Sequence, residues 1–236
     1  MKIYDCPDYE KMSQLAYDMV MEDIRQNPNL LLCPATGQSP RGMYAKLAEI
    51  AQYEVDLFKN LQIIKLDEWG GIPASDPNSC ETYIRESILD PLQIDTSRYI
   101  SFESSPVDAK KECDRMENEI MERGPIDVCI LGMGKNGHLG FNEPSNFLIP
   151  ECHVAELSQT SLMHSMTDNM AYKPNYGLTL GMANILQAKK IILLLTGPGK
   201  SRALKELLNK EISTFLPASF LWLHPEVHCY IDKSSR

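Results

Sequence analysis

The sequence predicts an α/β protein: a mostly parallel, doubly wound sheet flanked by helices. Three observations carry this. Seven short apolar runs alternate with longer amphipathic stretches, the order that βαβ units produce. The amphipathic stretches have the length of helices that cross over between parallel strands. Polar motifs follow four of the apolar runs, and open parallel sheets bind ligands beyond the carboxyl ends of their strands.

The first strand candidate, Lys2–Tyr4, leads to a helix over Pro7–Arg25, where Met12, Leu15, Ala16, Met19 and Val20 recur at helical spacing. Leu30–Cys33 is followed by a helix over Arg41–Ala51, and Leu61–Leu66 by one over Cys80–Leu89. Tyr99–Phe102 precedes a helix over Asp108–Met121, and Ile126–Leu131 runs into a glycine-rich turn. A helix over Leu178–Ala188 then leads to the strand Lys190–Leu195, a helix over Lys200–Leu208 and a last strand, Val227–Ile231. The stretch 142–174 is the least regular, rich in Pro, Ser, Asn and Met, and reads as a lid or binding loop. Its Met163, Met166 and Met170 read as packing within a helix or that lid. No repeat, low-complexity tract or linker divides the chain, so 1–236 is expected to form one domain.

Composition narrows the function. The 236 residues are 43% hydrophobic and 23% charged, ordinary for a soluble globular protein able to bury a large core. The net charge of −9 argues against nucleic acid or an anionic membrane as the main partner, since both need a basic face. A small anionic substrate needs only a local cradle of donors. Seven cysteines without a C-x-x-C pair read as reduced thiols in a cytoplasmic protein, not as a disulfide framework or a zinc site. The longest aliphatic run, Ile191–Leu195, is too short to span a bilayer.

Four loops carry the polar chemistry. After Leu30–Cys33 comes Pro34-Ala35-Thr36-Gly37-Gln38-Ser39-Pro40, whose backbone amides and helix N-terminus suit a phosphate, although Ser39 could equally be a plain helix cap. After Leu61–Leu66 come the adjacent carboxylates Asp67 and Glu68, either a general base with its neighbour or a pair of solvated loop acids. After Ile126–Leu131 comes the most informative stretch, Gly132 to Pro144, with four glycines in nine residues. In it a carboxylate, Glu143, stands five residues beyond His138 and so offers a base and an orienting partner. Its glycines do not follow the dinucleotide fingerprint. After Lys190–Leu195 comes Thr196-Gly197-Pro198-Gly199-Lys200, where a lysine at a loop–helix junction offers charge to an anion. His153, His224 and His228 lack metal-ligand spacing, and no metal is expected.

Together these motifs resemble the family of glucosamine-6-phosphate deaminases and 6-phosphogluconolactonases, over nearly the whole chain. Gly134-Lys135-Asn136-Gly137-His138 with Phe141-Asn142-Glu143-Pro144 looks like the deaminase signature, and the lactonases generally lack its Asn-Glu-Pro. Lys65-Leu66-Asp67-Glu68-Trp69, Cys80-Glu81-Thr82 and Ala218–His224 look more closely like the galactosamine-6-phosphate deaminase/isomerase branch. The resemblance implies the Rossmann-like fold of those deaminases. It implies ring opening of an amino-sugar phosphate, proton transfer from C2 to C1, and hydrolytic loss of ammonia to give a ketose phosphate, without organic cofactor or metal.

By similarity His138 shuttles the ring-opening proton, with Asn136 and Glu143 orienting it, and Asp67 is the base, supported by Glu68. Backbone amides around Gly137 would hold negative charge developing on O1. Thr36, Gly37, Gln38, Ser39 and Lys200 match the phosphate cradle. Some deaminases carry aspartate where Asn136 stands. Where the glucosamine enzymes place a phosphate-binding arginine, this chain reads His164-Ser165-Met166, so His164 is expected to substitute in part for it. Hexamer formation and allosteric activation are not carried over, and a homo-oligomer is left open. The expected reaction takes galactosamine 6-phosphate to tagatose 6-phosphate and ammonia, ahead of the glucosamine epimer, a lactonase, or a sugar-phosphate sensor that binds without turnover.

Overall fold

A computed structural model describes residues 1–158 and 173–235. Seven strands form one parallel sheet in the order β1 (Lys2–Cys6), β10 (Val227–Asp232), β9 (Lys190–Leu195), β6 (Val128–Gly132), β2 (Leu31–Cys33), β3 (Gln62–Ile64) and β5 (Tyr99–Ile100). Every pairing within it is parallel. These are the seven predicted apolar runs. The runs are continuous rather than alternating because both faces of the sheet are covered.

Side-chain alternation divides the core. Leu31, Cys33, Cys129, Leu131, Ile191, Leu193 and Leu195 point to one face, under α4 (Ala109–Arg123), α5 (Met182–Leu186) and α6 (Ser201–Leu208). Leu32, Val128, Ile130, Ile192 and Leu194 point to the other, under α1 (Tyr9–Gln26) and α2 (Gln38–Ala51), where Ile84 at the end of α3 (Cys80–Ile84) also packs. On α1 the buried stripe is Met12, Ala16, Val20 and Ile24, one residue per turn. The helix starts where Asp8 accepts a hydrogen bond from the Lys11 amide at 2.7 Å, a cap worth about 1 kcal/mol. Asp108 caps α4 in the same way, through the amides of Lys110 and Lys111.

From β2 the chain winds outward to β3 and β5. It then returns to β6, on the other side of β2, and continues to β9 and β10. Winding therefore reverses between β2 and β6, and such a reversal opens a crevice at the carboxyl ends of the strands. β9, β6, β2 and β3 lie side by side there, and all four predicted polar loops leave from them.

The structure departs from the sequence reading in a second, antiparallel sheet, β4 (Asp67–Gly70), β8 (Tyr176–Thr179) and β7 (His153–Ala155). Asp67 and Glu68 thus begin a strand and not a loop. Leu178 and Thr179, expected in a helix, pair with Glu68 and Asp67 on β8. The helix is confined to α5, after Gly181, whose N–H donates to Asn184 Oδ1 at 2.8 Å. Within the stretch expected to be irregular, β7 is regular structure; residues 159–172, with Met163, His164, Met166 and Met170, lie outside the described residues. The small sheet packs Trp69 against Phe141, ring centroids 4.5 Å apart, with Ile72, Cys80 and Ala155. All seven cysteines are free thiols. Among the described residues no helix is long and apolar enough to cross a membrane.

Candidate active site

The glycine-rich turn after β6 closes on itself before it presents its histidine. Gly134 N–H donates to His138 O and Gly137 N–H to Gly134 O, both at 3.0 Å. Gly137 sits at φ +87°, and a side chain there would run into Leu216; a side chain at Gly134 would occupy the space of the His138 ring. Asn142 Nδ2 closes the turn through Leu139 O and ties it to Leu180 O, just after β8, each at 2.9 Å.

Inside this frame Asn136 Nδ2 donates to Glu143 Oε2 at 2.8 Å and Ser158 Oγ to Glu143 Oε1 at 3.0 Å. His138 Nδ1 lies 3.4 Å from the same Glu143 Oε2, close enough for charge attraction. The contact lies off the hydrogen-bond axis, so the buried Nδ1 has no hydrogen-bond partner. His138, Asn136 and Glu143 therefore come together as expected. Of the amides around Gly137 expected to face a developing oxyanion, that of Gly137 itself donates to Gly134 O, and its φ of +87° sets the shape of the turn.

Asp67, at the head of β4, is buried, and its Oδ1 has no hydrogen-bond partner. Burial first, and the Glu68 carboxylate second, push its acid form up to about 7, against the opposing charges of His138 and Lys65. A carboxyl group poised there exchanges protons near neutral pH.

Glu68 departs further from expectation. It points to the opposite side of β4 and is fully buried. Its oxygens accept from Lys65 Nζ (2.8 Å) and from the amides of Trp69 (2.8 Å), Cys80 (3.0 Å) and Glu81 (2.8 Å). With four donors around it and no exposure it cannot touch a substrate; it holds the start of α3 against β4. The support Glu68 was expected to give Asp67 thus comes from behind the strand, and Glu68 itself is no substrate contact. Lys65 and Glu81 were not singled out from the sequence as site residues. The available signal was a lysine beside the apolar pair Ile63-Ile64 in a strand candidate, which demands a buried counter-charge.

The turn after β2 forms the other end of the crevice. α2 begins at Gln38, not at Arg41, and Ser39 is not its cap: Gly37, at φ +104°, holds that position without a side-chain bond. Tyr83 OH donates to Gly37 O at 2.6 Å and Tyr9 OH to Gln38 O at 2.8 Å. The Thr36 hydroxyl lies 3.9 Å from Cys80 Sγ. From the loop after β9, Lys200 Nζ donates to Ser39 Oγ at 3.2 Å. Burial and the neighbouring Lys135 ammonium lower Lys200 to about 8. Lys135 reaches across from the glycine-rich turn to lie over Gly199. A helix N-terminus and two lysines thus meet in one place, a combination that attracts an anion.

Among the described residues no group of three or more His, Cys, Asp or Glu side chains is arranged to hold a metal ion. A proton-exchanging carboxyl group beside a histidine–carboxylate pair, across from an anion cradle, is the outline of an acid–base enzyme for a small anionic molecule.

Comparison with known proteins gives the family. Residues 9–229 match the family described as glucosamine-6-phosphate isomerases/6-phosphogluconolactonase, and the chain belongs to it. A candidate deaminase of Escherichia coli (strain K12), AgaI, is 40% identical over 226 residues, covering 95% of this chain and 89% of its own. Glucosamine-6-phosphate deaminase 1 of Bacillus subtilis (strain 168) is 34% identical over 237 residues, covering 100% and 98%. The solved structure of a monomeric glucosamine-6-phosphate deaminase superposes with a TM-score of 0.92 at 34% identity, covering 100% of this chain and 98% of the other. The fold is therefore that of the deaminases.

Proposed function

We propose that this enzyme, an amino-sugar-phosphate deaminase/isomerase, converts galactosamine 6-phosphate and water to tagatose 6-phosphate and ammonia. The observation that carries the reading is Asp67, a buried carboxyl group with an unpartnered oxygen that exchanges its proton near neutral pH, beside His138 and its partner Glu143. The phosphate is seated at the start of α2, among Thr36, Gly37, Gln38, Ser39 and Lys200, with Lys135 alongside. His138, paired with Glu143, passes a proton to the ring oxygen, and the ring opens to a 2-amino aldehyde. Asp67 takes the C2 proton and returns it to C1. The nitrogen is left as an imine at C2, which water hydrolyses to the ketone with release of ammonia.

The galacto preference rests on the motif likeness of Lys65–Trp69 and Cys80–Thr82 and on the 40% identity to AgaI. A second reading, glucosamine 6-phosphate as substrate, is favoured by the names of the relatives at 34% identity. The deciding experiment is ammonia release from both epimers in parallel. Preference for the galacto epimer, lost in Asp67→Asn, supports the reading. Release from the gluco epimer alone keeps the mechanism and replaces the substrate. No ammonia from either overturns the deaminase assignment and leaves the lactone assay as the next step.

A further inference from the structure

Directly behind Asp67 lies a charged cluster that touches no open surface of the crevice. Lys65 is 1% exposed, and its ammonium stands 2.8 Å from Glu68 Oε2 and 2.8 Å from Glu81 Oε2. Glu81, the second residue of α3, also accepts from Tyr99 OH on β5 and from Arg85 Nη2, each at 2.8 Å. Two cations and two carboxylates balance within this cluster. The Asp67 carboxylate, one residue from Glu68, is a further negative charge that the cluster does not neutralise.

Burying a lysine is expensive, and a buried position in the link between β3 and β4 is filled more cheaply by an aliphatic side chain. Lys65 is not alone in joining β4 to α3: three backbone amides also hold Glu68, and Arg85 and Tyr99 also hold Glu81. What the ammonium adds is positive charge behind the head of β4. We propose that Lys65, shared between Glu68 and Glu81, is a positioning residue that sets the charge state of Asp67, with Glu81 as its counterweight. The proposal rests on the reading of Asp67 as the base.

The surroundings fix the signs. Within electrostatic range of Asp67 are Glu68 on the other side of its own strand, Lys65 before that strand, His138 on the glycine-rich turn, the Cys33 thiol of β2 and the Tyr44 phenol of α2, with the Cys80 thiol at the start of α3 alongside. Lys65 and His138 favour the carboxylate form and Glu68 opposes it. Removing the Lys65 charge therefore makes Asp67 hold its proton to higher pH. Removing the Glu81 charge leaves the ammonium less neutralised and has the opposite effect.

The test reads Asp67 directly, by NMR titration of the labelled aspartate γ-carboxyl carbon, with the Asp67 signal assigned by its loss in Asp67→Asn. Lys65→Met is expected to raise the Asp67 midpoint by about one pH unit, and Glu81→Gln to lower it by a smaller amount. The double variant Lys65→Met/Glu81→Gln is expected to return it toward the starting value. A merely structural role for Lys65 lowers thermal stability in both single variants without shifting the midpoint in opposite directions. If Lys65→Met does not fold, Glu81→Gln alone decides, because an unmoved or raised midpoint overturns the proposal. Turnover is followed separately. A midpoint that shifts as expected in a protein releasing no ammonia sinks the deaminase reading while the electrostatic assignment stands.

Discussion

The two ends of the crevice solve opposite electrostatic problems. At the β4 end negative charge is gathered and buried. Glu68 is saturated by four donors, Glu143 is held by Asn136 and Ser158, and Asp67 Oδ1 and His138 Nδ1 are left without hydrogen bonds. At the α2 end positive charge is gathered at an open turn, with Lys200 and Lys135 beside a helix start that has no side-chain cap. One end keeps desolvated groups out of balance until something binds; the other offers unspent donors. Substitutions at the β4 end should therefore act on turnover, and those at the α2 end on binding.

The sharpest separation is expected from Asp67→Asn. A positioned acid–base group is worth about 10²–10⁴-fold in rate, so kcat for ammonia release should fall by that order with little change in KM. Stability should move the other way. The folded protein keeps the Asp67 proton up to about pH 7, well above the ordinary carboxylate range, so it binds more protons than the unfolded chain between those limits. Its stability accordingly falls as pH rises through that window and stays lowered above it. Asp67→Asn removes the penalty, worth roughly 1–4 kcal/mol, and should melt higher than the parent at pH 8 and about equal at pH 4. Equal melting at both pH values would show that burial of this carboxyl group stores no energy.

Next in size is Glu143→Gln. It keeps one acceptor oxygen, for Asn136, and puts an amide N–H opposite the Ser158 hydroxyl, which can turn to accept from it, while removing the charge 3.4 Å from His138. The expected loss is about ten- to a hundredfold in kcat, part of what positioned acid–base groups supply. A loss confined to KM would move Glu143 from the reacting end to the binding end and break the division. At the opposite end, Lys200→Met removes a charge-assisted contact worth about 1.5–3 kcal/mol, so KM should rise about 10–100-fold with kcat nearly constant. Parent KM should also rise above about pH 8, where Lys200 loses its proton.

The parts of this division were unequally legible in the sequence. The five inner strands of the large sheet are legible because each is an apolar run buried on both faces, whereas the edge strands β1 and β5 are only partly buried. The small sheet is not legible. β4 carries two acids and a glycine, and β8 runs into the residues that precede α5, so neither shows period-two alternation. Their burial comes from distant partners, Thr179 opposite Asp67 and Phe141 against Trp69. His138, Asn136 and Glu143 were readable as a set because eight residues of one turn hold them. The side that Glu68 takes is not legible in the sequence, because only the strand makes it and its neighbour Asp67 point to opposite sides. Lys65 and Glu81 are 16 residues apart and meet only because α3 folds back on β4.

The smallest expected effect tests whether the two ends are independent. Tyr83 belongs to α3, whose start Glu68 holds, yet its hydroxyl donates to Gly37 O in the anion turn. α3 is thus the one described element bonded to both ends. Tyr83→Phe removes a neutral hydrogen bond worth about 0.5–1.5 kcal/mol while keeping the ring that packs edge-on against Tyr44. Tm should fall by about 2–4 °C per kcal/mol lost in a chain of this size. If Gly37 O needs this bond to keep the α2 amides aimed, KM should rise two- to threefold, at the low end of what such a bond is worth, with kcat unchanged. If KM stays constant while Tm falls, the turn is held by α2 and Tyr9 alone and the two ends are mechanically separate. A change in kcat would mean that α3 transmits strain from the binding end to Asp67, and the division between the ends would then describe charge but not motion.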